Sequence, residues 1–488
     1  MATLFRNAGW SGAAAAFRAA SGLINALLAI RLLGVGNYGH VATALSIFVL
    51  YLSLNSSIFT ALVVKLMAPT SVGEKHSALL SASSLFSAIS ILFLVILTLF
   101  LMEFAPRFMS IEPGHVLETE MRSAILLMGI LTAIQIVVAL QSALIEGAGR
   151  LDLAMKWQLI GPAVVLILLA IAFFARLTVT ASGYVLALCA GALTDFCLLW
   201  FVKHKVLPAS PPCWPTRKRV EGLMHLLKAG GVLQATSLMG MFLEPLNKLL
   251  LNHFVGAAAV TIYDLAMKVI WGIQYLFSSA MRVFLHLGSQ DEDSVGQTFS
   301  RVIALVGVPV VIIHTVGALF LAWAAHHWLA IDATQLMTFF TIATLSNLGM
   351  IYITPLYISL IGRGELRFVF RSQAILAITN VVVTLTLIPF LGLVGAAFGL
   401  LTATIYNAVA IFNRCKTSAD TFNGLSDALR GQRVRYVLVV LLFMAAILLG
   451  IKGNESLTGL IVLLLLLTVI ALREPMVGIL LERMRCRK

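Results

Sequence analysis

Long apolar stretches separated by short polar segments follow one another along the whole chain. A helix must supply about 20 apolar residues to cross the hydrocarbon core of a bilayer. By that measure the sequence predicts fourteen transmembrane helices, with breaks at glycine, proline and clusters of charge. Because backbone groups in lipid must be hydrogen-bonded within the protein, the predicted fold class is all-α, a polytopic membrane bundle. The predicted spans are 9–32, 40–64, 78–102, 121–145, 157–176, 179–202, 228–251, 259–285, 300–324, 335–361, 372–390, 394–413, 435–451 and 457–472.

Composition and charge support this prediction. Hydrophobic residues make up 60% of the chain and charged residues 11%, whereas soluble domains have about 45–50% and about 25%. Of the 34 lysines and arginines, 25 lie in segments that are inside if the N-terminus is inside, six lie at the outside and three lie within spans. Cytoplasmic loops carry such an excess, so both termini are predicted to be cytoplasmic. The net charge of +13 therefore reports orientation and does not indicate a nucleic-acid partner.

An internal repeat runs through the predicted spans. The segment Gly147-Ala-Gly149-Arg-Leu151 matches Gly362-Arg-Gly364-Glu-Leu366 at an offset of 215 residues. In the same order, Asn25 matches Asn247, Gly34 matches Gly256 and, after a gap, Tyr38 matches Tyr263. A repeat of six helices keeps its orientation in the membrane, so the two copies are predicted to be related by a pseudo-two-fold along the membrane normal.

The repeat predicts the domain organisation. Its two copies are two six-helix lobes joined by a basic, proline-rich linker, and an extra helix pair with a basic cytoplasmic tail follows. The predicted boundaries are 1–207 for the first lobe, 208–227 for the linker, 228–415 for the second lobe and 416–488 for the remainder.

Three short motifs carry a family resemblance. The segment Arg31-Leu-Leu-Gly34-Val-Gly-Asn-Tyr38-Gly39 resembles the signature between the first two helices of the polysaccharide transporter branch of the multidrug/oligosaccharidyl-lipid/polysaccharide exporter superfamily. Phe254-Val-Gly256 with Tyr263 and Ala266 resembles the element between helices seven and eight of that branch, and Gly392-Leu-Val-Gly395-Ala-Ala resembles its entry to helix twelve. The resemblance covers essentially the whole chain.

The resemblance implies a V-shaped pair of six-helix lobes around a central cavity. It implies a flippase that moves undecaprenyl-diphosphate-linked oligosaccharide repeat units from the cytoplasmic to the periplasmic leaflet of the bacterial inner membrane. The repeat units would serve O-antigen, capsule or exopolysaccharide assembly, with a polysaccharide polymerase and a chain-length regulator as partners. The chain is predicted to be a transporter rather than an enzyme, without cofactor or metal.

Arg18 is the sharpest candidate for contact with substrate. A charge at mid-bilayer costs about 2.5–3.5 kcal/mol and therefore normally faces protein or water. The guanidinium fork suits phosphate oxygens, which predicts that Arg18 holds the diphosphate of the lipid carrier. Asn25 lies seven residues on and shares the same helix face. The alternatives are that Arg18 reaches the cytoplasmic headgroups or pairs inside the bundle.

Predicted helices seven and eight carry a second group of polar residues. Glu244 and Lys248 are four residues apart, as are Asp264 and Lys268, which places each pair on one helix face. Together with Gln234 these residues form either a hydrophilic lining for sugar hydroxyls or ions, or two structural ion pairs.

Four further residues, Asp195, His314, Asn55 and Gln135, complete the set of cavity candidates. Asp195 is predicted to be either the partner of Arg18, a coupling-ion ligand or a buried structural residue, and His314 either a protonation switch or a hydrogen-bonded packing residue. Asn55 and Gln135 could line the path or hydrogen-bond between helices. Arg282 is predicted to reach the cytoplasmic headgroups.

Two other transporters and one enzyme class remain as alternatives. A Na⁺- or H⁺-coupled multidrug exporter would carry acidic residues in its cavity, and a peptidoglycan-precursor (lipid II) flippase would carry several arginines. A membrane-embedded glycosyltransferase would need a large periplasmic loop, which the predicted outer loops are too short to provide. The sequence has no Gly-rich loop ending in Lys-Ser/Thr, so it encodes no ATP motor of that type.

Overall fold

The computed structural model of the chain describes residues 2–67, 74–109, 116–206, 239, 243–281, 309–329, 331–362 and 365–416. Every regular element in these residues is a helix, as the sequence predicts. In chain order the helices are α1 (Ala2–Leu33), α2 (Val35–Met67), α3 (Glu74–Phe108), α4 (Val116–Gly147), α5 (Leu151–Trp157), α6 (Ile160–Phe174), α7 (Ala181–Val206), α8 (Leu243–Phe254), α9 (Ala257–Met281), α10 (309–324, continued by a π-helical turn Ala325–Leu329), α11 (Ala333–Gly362), α12 (Leu366–Leu391) and α13 (Leu393–Lys416).

Ten helical segments within the described ranges are long and apolar enough to cross a membrane, with lengths of 21 to 32 residues. The chain is therefore a multi-pass membrane protein. The last two predicted spans, the predicted linker 208–227 and Arg282 lie outside the described residues, as does most of the predicted span 228–251. The total of fourteen spans stays a prediction.

Two helices show opposite environments within the bundle. Only 22% of the membrane-crossing window of α3 is buried, whereas 61% of that of α11 is buried. Because lipid is as apolar as the core, a lipid-facing helix can leave large side chains uncovered. On α3 the exposed large side chains include Leu92, Phe93, Val95, Ile96, Leu99 and Phe100.

The predicted span 157–176 corresponds to α6, and a break at Gln158 and Leu159 separates α6 from the short helix α5. Pro162 explains the break, because its ring lacks an N–H and would clash with the carbonyl four residues earlier in a continuous helix. In the first turn of α6 the missing N–H needs no partner, so the helix restarts there.

Two glycines end helices at positions that the predicted repeat matches. Gly34 lies between α1 and α2 with φ of 83°, and Gly256 lies between α8 and α9 with φ of 109°. Other residues rarely adopt this left-handed region, so glycine is favoured at both breaks. The Gly34 N–H donates to the Ile30 carbonyl and the Gly256 N–H to the Leu251 carbonyl, each at 2.9 Å. The same local geometry at matched positions supports the repeat.

The chain divides into two compact units. The first comprises Met1–Lys268 and Leu366–Gly399, and the second comprises Val269–Glu365 and Leu400–Lys488. The first unit therefore includes the helices of the first predicted repeat together with α8, the start of α9 and α12. The predicted lobes at 1–207 and 228–415 stay a prediction.

Within the first unit, α2 approaches α9 closely enough to exclude a side chain at Gly39. A Cβ added there would overlap the backbone carbonyl of Ala257, and nearby the Thr261 hydroxyl donates to the Val35 carbonyl at 2.6 Å. The glycine of the Tyr38-Gly39 motif is therefore required by packing between the two helices.

Gly39→Ala should lower the melting temperature of the purified protein, because α2 and α9 must move apart at an overlap with rigid backbone. We expect a cost of about 1–3 kcal/mol, as for other overpacked interiors. Gly36→Ala is the matched control on the same helix, since a Cβ added at Gly36 meets nothing within 4 Å. Equal melting temperatures for the two variants in detergent would contradict the close approach.

Candidate functional site

A buried carboxylate on α9 joins three helices of the first unit. Asp264 Oδ1 lies 2.6 Å from Lys248 Nζ on α8, and Asp264 Oδ2 accepts from Lys268 Nζ at 2.7 Å and from the Tyr38 hydroxyl of α2 at 2.6 Å. Lys248 Nζ also lies 2.6 Å from Glu244 Oε1. We call these five residues the buried ion cluster. Two acids and two lysines balance each other there.

Burial divides the buried ion cluster into a sealed centre and an accessible edge. The side chains of Asp264 and Lys248 are 1% and 6% exposed, whereas those of Glu244 and Lys268 are each 33% exposed. A charge sealed from water is strongly destabilising unless it is paired and hydrogen-bonded. Within the cluster, Glu244 and Lys268 are accessible for contact with a ligand, whereas Asp264 and Lys248 are sealed from water.

Neutral polar residues extend the hydrogen bonding around the cluster. The side-chain amide of Asn247 donates to the Tyr263 hydroxyl at 3.4 Å. The side-chain amide of Asn380 on α12 donates to the side-chain oxygen of Asn247 at 3.0 Å. The ring of Tyr184 from α7 lies 6.3 Å from that of Tyr38, centroid to centroid. Polar contacts thus connect α2, α8, α9 and α12.

Arg18 lies on α1, well before Gly34, and does not belong to the buried ion cluster. It is exposed and donates to the side-chain oxygen of Gln158, at the break between α5 and α6. It is 15 residues before the end of α1 at Leu33, or about 22 Å at 1.5 Å per residue. Asp195 of α7 contacts Gly161, three residues after Gln158, and its pairing with Arg18 stays a prediction.

Asp195 is fixed by the start of α6. Its Oδ1 accepts the backbone N–H of Gly161 at 2.8 Å, and a Cβ added at Gly161 would overlap the carboxylate. Acceptors at helix N-termini satisfy backbone donors that have no partner within the helix. Glu146 of α4 accepts from the Ser142 hydroxyl at 3.1 Å. Asp195 is thus held beside the break between α5 and α6 that also supplies Gln158 to Arg18.

His314 is a buried residue of α10 in the second unit. Its Nδ1 lies 2.7 Å from the Val310 carbonyl, and its Nε2 lies 3.0 Å from the amide nitrogen of Asn347, which also donates to the Ile270 carbonyl at 3.2 Å. A carbonyl only accepts, so Nδ1 carries the proton and Nε2 accepts from Asn347. Both ring nitrogens are occupied, as expected for a hydrogen-bonded packing residue.

The remaining candidates lie apart from these clusters. Asn55 is buried and donates to the Tyr51 carbonyl of its own helix at 2.8 Å. Asn25 is buried, and its side-chain oxygen has no hydrogen-bond partner among the described residues. Gln135 is half-buried on α4, and Gln234 lies outside the described residues. In the described part of the chain no three His, Cys, Asp or Glu side chains are grouped so that they could hold a metal ion.

Sequence reasoning did not identify Tyr38, Gln158, Glu146 or Asn347 as members of these sites. Tyr38 and Gln158 did stand in the repeat, since they match Tyr263 and Gln373. A repeat match on a polar or aromatic residue within a span was therefore an available signal. No such signal marked Glu146 and Asn347 in the sequence, because their contacts form only when separate helices pack.

Asp264→Asn should strongly lower the melting temperature in detergent, because it leaves two lysines beside a neutral amide. Breaking a buried ion pair costs about 3–5 kcal/mol. Tyr38→Phe removes only a hydrogen bond to a charged group, for which we expect about 1.5–3 kcal/mol. The control is Glu103→Gln, which weakens two exposed ion pairs, with Arg107 and with Arg122, and should cost about 0–1 kcal/mol. An Asp264→Asn variant as stable as Glu103→Gln would contradict the structural role.

Comparisons with known proteins agree with the resemblance. The solved structure of the lipid II flippase MurJ in an inward closed conformation superposes with a TM-score of 0.70 at 14% identity, covering 96% of this chain and 99% of that chain. An inward-facing multidrug resistance MATE family transporter of the MOP superfamily gives 0.58 at 14% identity, covering 82% and 95%, and a MATE protein in complex with MaL6 gives 0.57 at 15% identity, covering 86% and 96%. A search of curated protein sequences finds no match. The family model described as polysaccharide biosynthesis protein matches residues 4–285, more than half of the chain, and the chain belongs to that family, with the fold of MurJ and the MATE transporters.

Proposed function

We propose that this protein is a flippase for undecaprenyl-diphosphate-linked oligosaccharide repeat units, which it moves from the cytoplasmic to the periplasmic leaflet of the inner membrane. Membership of the polysaccharide biosynthesis family supports the substrate class. The likeness to a lipid II flippase supports the fold that such transport needs. The moved units would supply O-antigen or exopolysaccharide assembly by a polymerase.

Arg18 is the observation that carries the proposal. It lies five residues into the apolar segment that begins at Ala13, about 8 Å at 1.5 Å per residue, and it is exposed. An exposed guanidinium at this depth can face water, a ligand or the lipid headgroups. Its fork can donate to two oxygens of a diphosphate at once. In the predicted orientation this position lies in the cytoplasmic half, where the substrate enters.

Alternating access then requires the periplasmic end to be closed while Arg18 accepts substrate. In the predicted orientation Gly34 and Gly256 lie at the periplasmic ends of their helices. The Tyr38–Asp264 and Thr261–Val35 contacts lie close behind these glycines and join the two repeats. We infer that these contacts close that end and break when the transporter opens outward. The sugar head would pass through the protein while the polyprenyl tail stays in lipid.

Loss of the gene should cause complete lipid-linked repeat units to accumulate facing the cytoplasm of the host. Restoring the gene as Arg18→Ala should clear them more slowly by about 10- to 100-fold, the effect of losing a charge-assisted hydrogen bond. Arg18→Lys should be intermediate, because lysine keeps the charge and loses the fork. Leaflet-resolved extraction of the polyprenyl-linked sugars measures all three.

Arg107→Ala is the control for that experiment, since Arg107 is exposed and pairs only within its own helix turn in the described structure. It should clear the units like the unmodified protein. Accumulation that Arg18→Ala clears at the normal rate would contradict the role of Arg18 and leave the flippase proposal standing. Drug sensitivity without accumulation would favour a multidrug exporter, and accumulation of peptidoglycan precursor would favour a lipid II flippase.

A further inference from the structure

Gly22 lies inside α1, one turn after Arg18, and faces open space. A Cβ added at Gly22 would meet no atom of the described residues within 4 Å. By contrast, a Cβ at Gly39 or Gly129, which also lie inside helices, would overlap a neighbouring helix. Glycine inside a helix is destabilising relative to alanine, and close packing does not account for it at Gly22. The missing side chain therefore leaves room that no described part of the chain fills.

This open space lies on the side of α1 away from the side chains that face lipid. Phe17 and Ile24 are each 38% exposed, and Ala20 is exposed. A large apolar side chain that a membrane helix leaves uncovered packs against lipid. At about 100° per residue, Ile24 and Ala20 each lie about 160° around the helix from Gly22, whereas Arg18 lies about 40° from it. The space beside Gly22 is therefore on the Arg18 face of α1.

Asn25 adds an unpaired hydrogen-bond acceptor to the same face. It is 8% exposed, and its side-chain oxygen has no hydrogen-bond partner in the part of the chain that the structure describes. Side chains in a helix lean toward its N-terminus, so that of Asn25 leans toward the turn that contains Gly22. A buried polar atom without a partner is destabilising, and a hydrogen bond from a ligand would relieve that cost.

We propose that Arg18, Gly22 and Asn25 form one binding face, on which Asn25 contacts the first sugar of the lipid-linked oligosaccharide. The proposal rests on the proposed flippase function, in which Arg18 holds the diphosphate. Arg18 and Asn25 are seven residues apart, about 10 Å along the helix, a distance that a diphosphate and the sugar attached to it can span. Gly22 leaves room for the link between them. The Asn25 oxygen accepts from a hydroxyl or an amide N–H of that sugar.

A purely structural role for these residues predicts a different pattern of stability. If Gly22 were required by packing, Gly22→Ala would lower the melting temperature, as expected for Gly39→Ala. We expect an unchanged or higher melting temperature, because alanine favours the helix and its Cβ meets nothing within 4 Å among the described residues. Asn25→Leu should not lower the melting temperature either, because it replaces an unpaired buried oxygen by an apolar group of similar size.

The test is the affinity of the purified full chain for two probes, measured by titration calorimetry. One probe is farnesyl diphosphate, and the other is farnesyl-diphospho-N-acetylglucosamine, whose sugar offers both hydroxyls and an amide N–H. The unmodified protein should bind the sugar-linked probe about tenfold more tightly, the effect of one or two added hydrogen bonds. Asn25→Leu should remove this preference and leave the Kd of farnesyl diphosphate unchanged. Gly22→Leu should also remove it by filling the space, whereas Ala20→Leu, on the lipid-facing side of the same helix, is the matched control and should keep it.

Equal affinity of the unmodified protein for the two probes overturns the proposal, and so does a preference that survives Asn25→Leu. A lowered melting temperature for Gly22→Ala overturns it as well, because Gly22 would then be a packing residue. If the protein binds farnesyl diphosphate better than farnesol in these cases, the proposed function stands and only the sugar contact fails. If the unmodified protein does not distinguish farnesyl diphosphate from farnesol, the proposed function fails too.

Discussion

The pairing of Asp264 with two lysines and a tyrosine is the interaction on which the first unit depends. An isolated carboxylate inside a membrane protein has neither water nor lipid headgroups to stabilise it. Three donors from α2, α8 and α9 take their place, so these helices must meet at one point. The absence of a side chain at Gly39 and the turns at Gly34 and Gly256 allow that approach. In this chain the Tyr38-Gly39 motif is therefore a packing motif around one buried charge.

The need to stabilise a buried charge also explains why the surroundings of Lys248 and Arg18 differ. Lys248 is sealed and lies within 2.6 Å of two carboxylates, so its charge is neutralised in place. Arg18 is exposed, and its hydrogen-bond partner Gln158 is neutral. A saturated cation stabilises the fold, whereas an exposed and incompletely balanced one can bind an anion. Charge alone does not distinguish these roles, but burial and the nature of the partners do.

Much of this arrangement could be predicted from the sequence because lipid imposes simple rules. Apolar runs placed the helices, and four-residue spacing predicted the pairs of Glu244 with Lys248 and of Asp264 with Lys268. The bond that joins these two pairs, between Lys248 and Asp264, could not be predicted, since it depends on how α8 packs against α9. For Arg18 the depth and the charge could be predicted, whereas its bond to Gln158 depends on how α1 packs against the break between α5 and α6.

Transport of a diphosphate-linked sugar lipid is the central claim, and reconstitution tests it most directly. The purified protein would be placed in vesicles with a fluorescent, short-chain polyprenyl-diphosphate oligosaccharide in both leaflets, and a membrane-impermeant reductant would be added outside. The proposal predicts that nearly all of the label becomes accessible, whereas protein-free vesicles protect the inner-leaflet half. Protection of that half in the presence of folded protein, to the same extent as in protein-free vesicles, would contradict the claim.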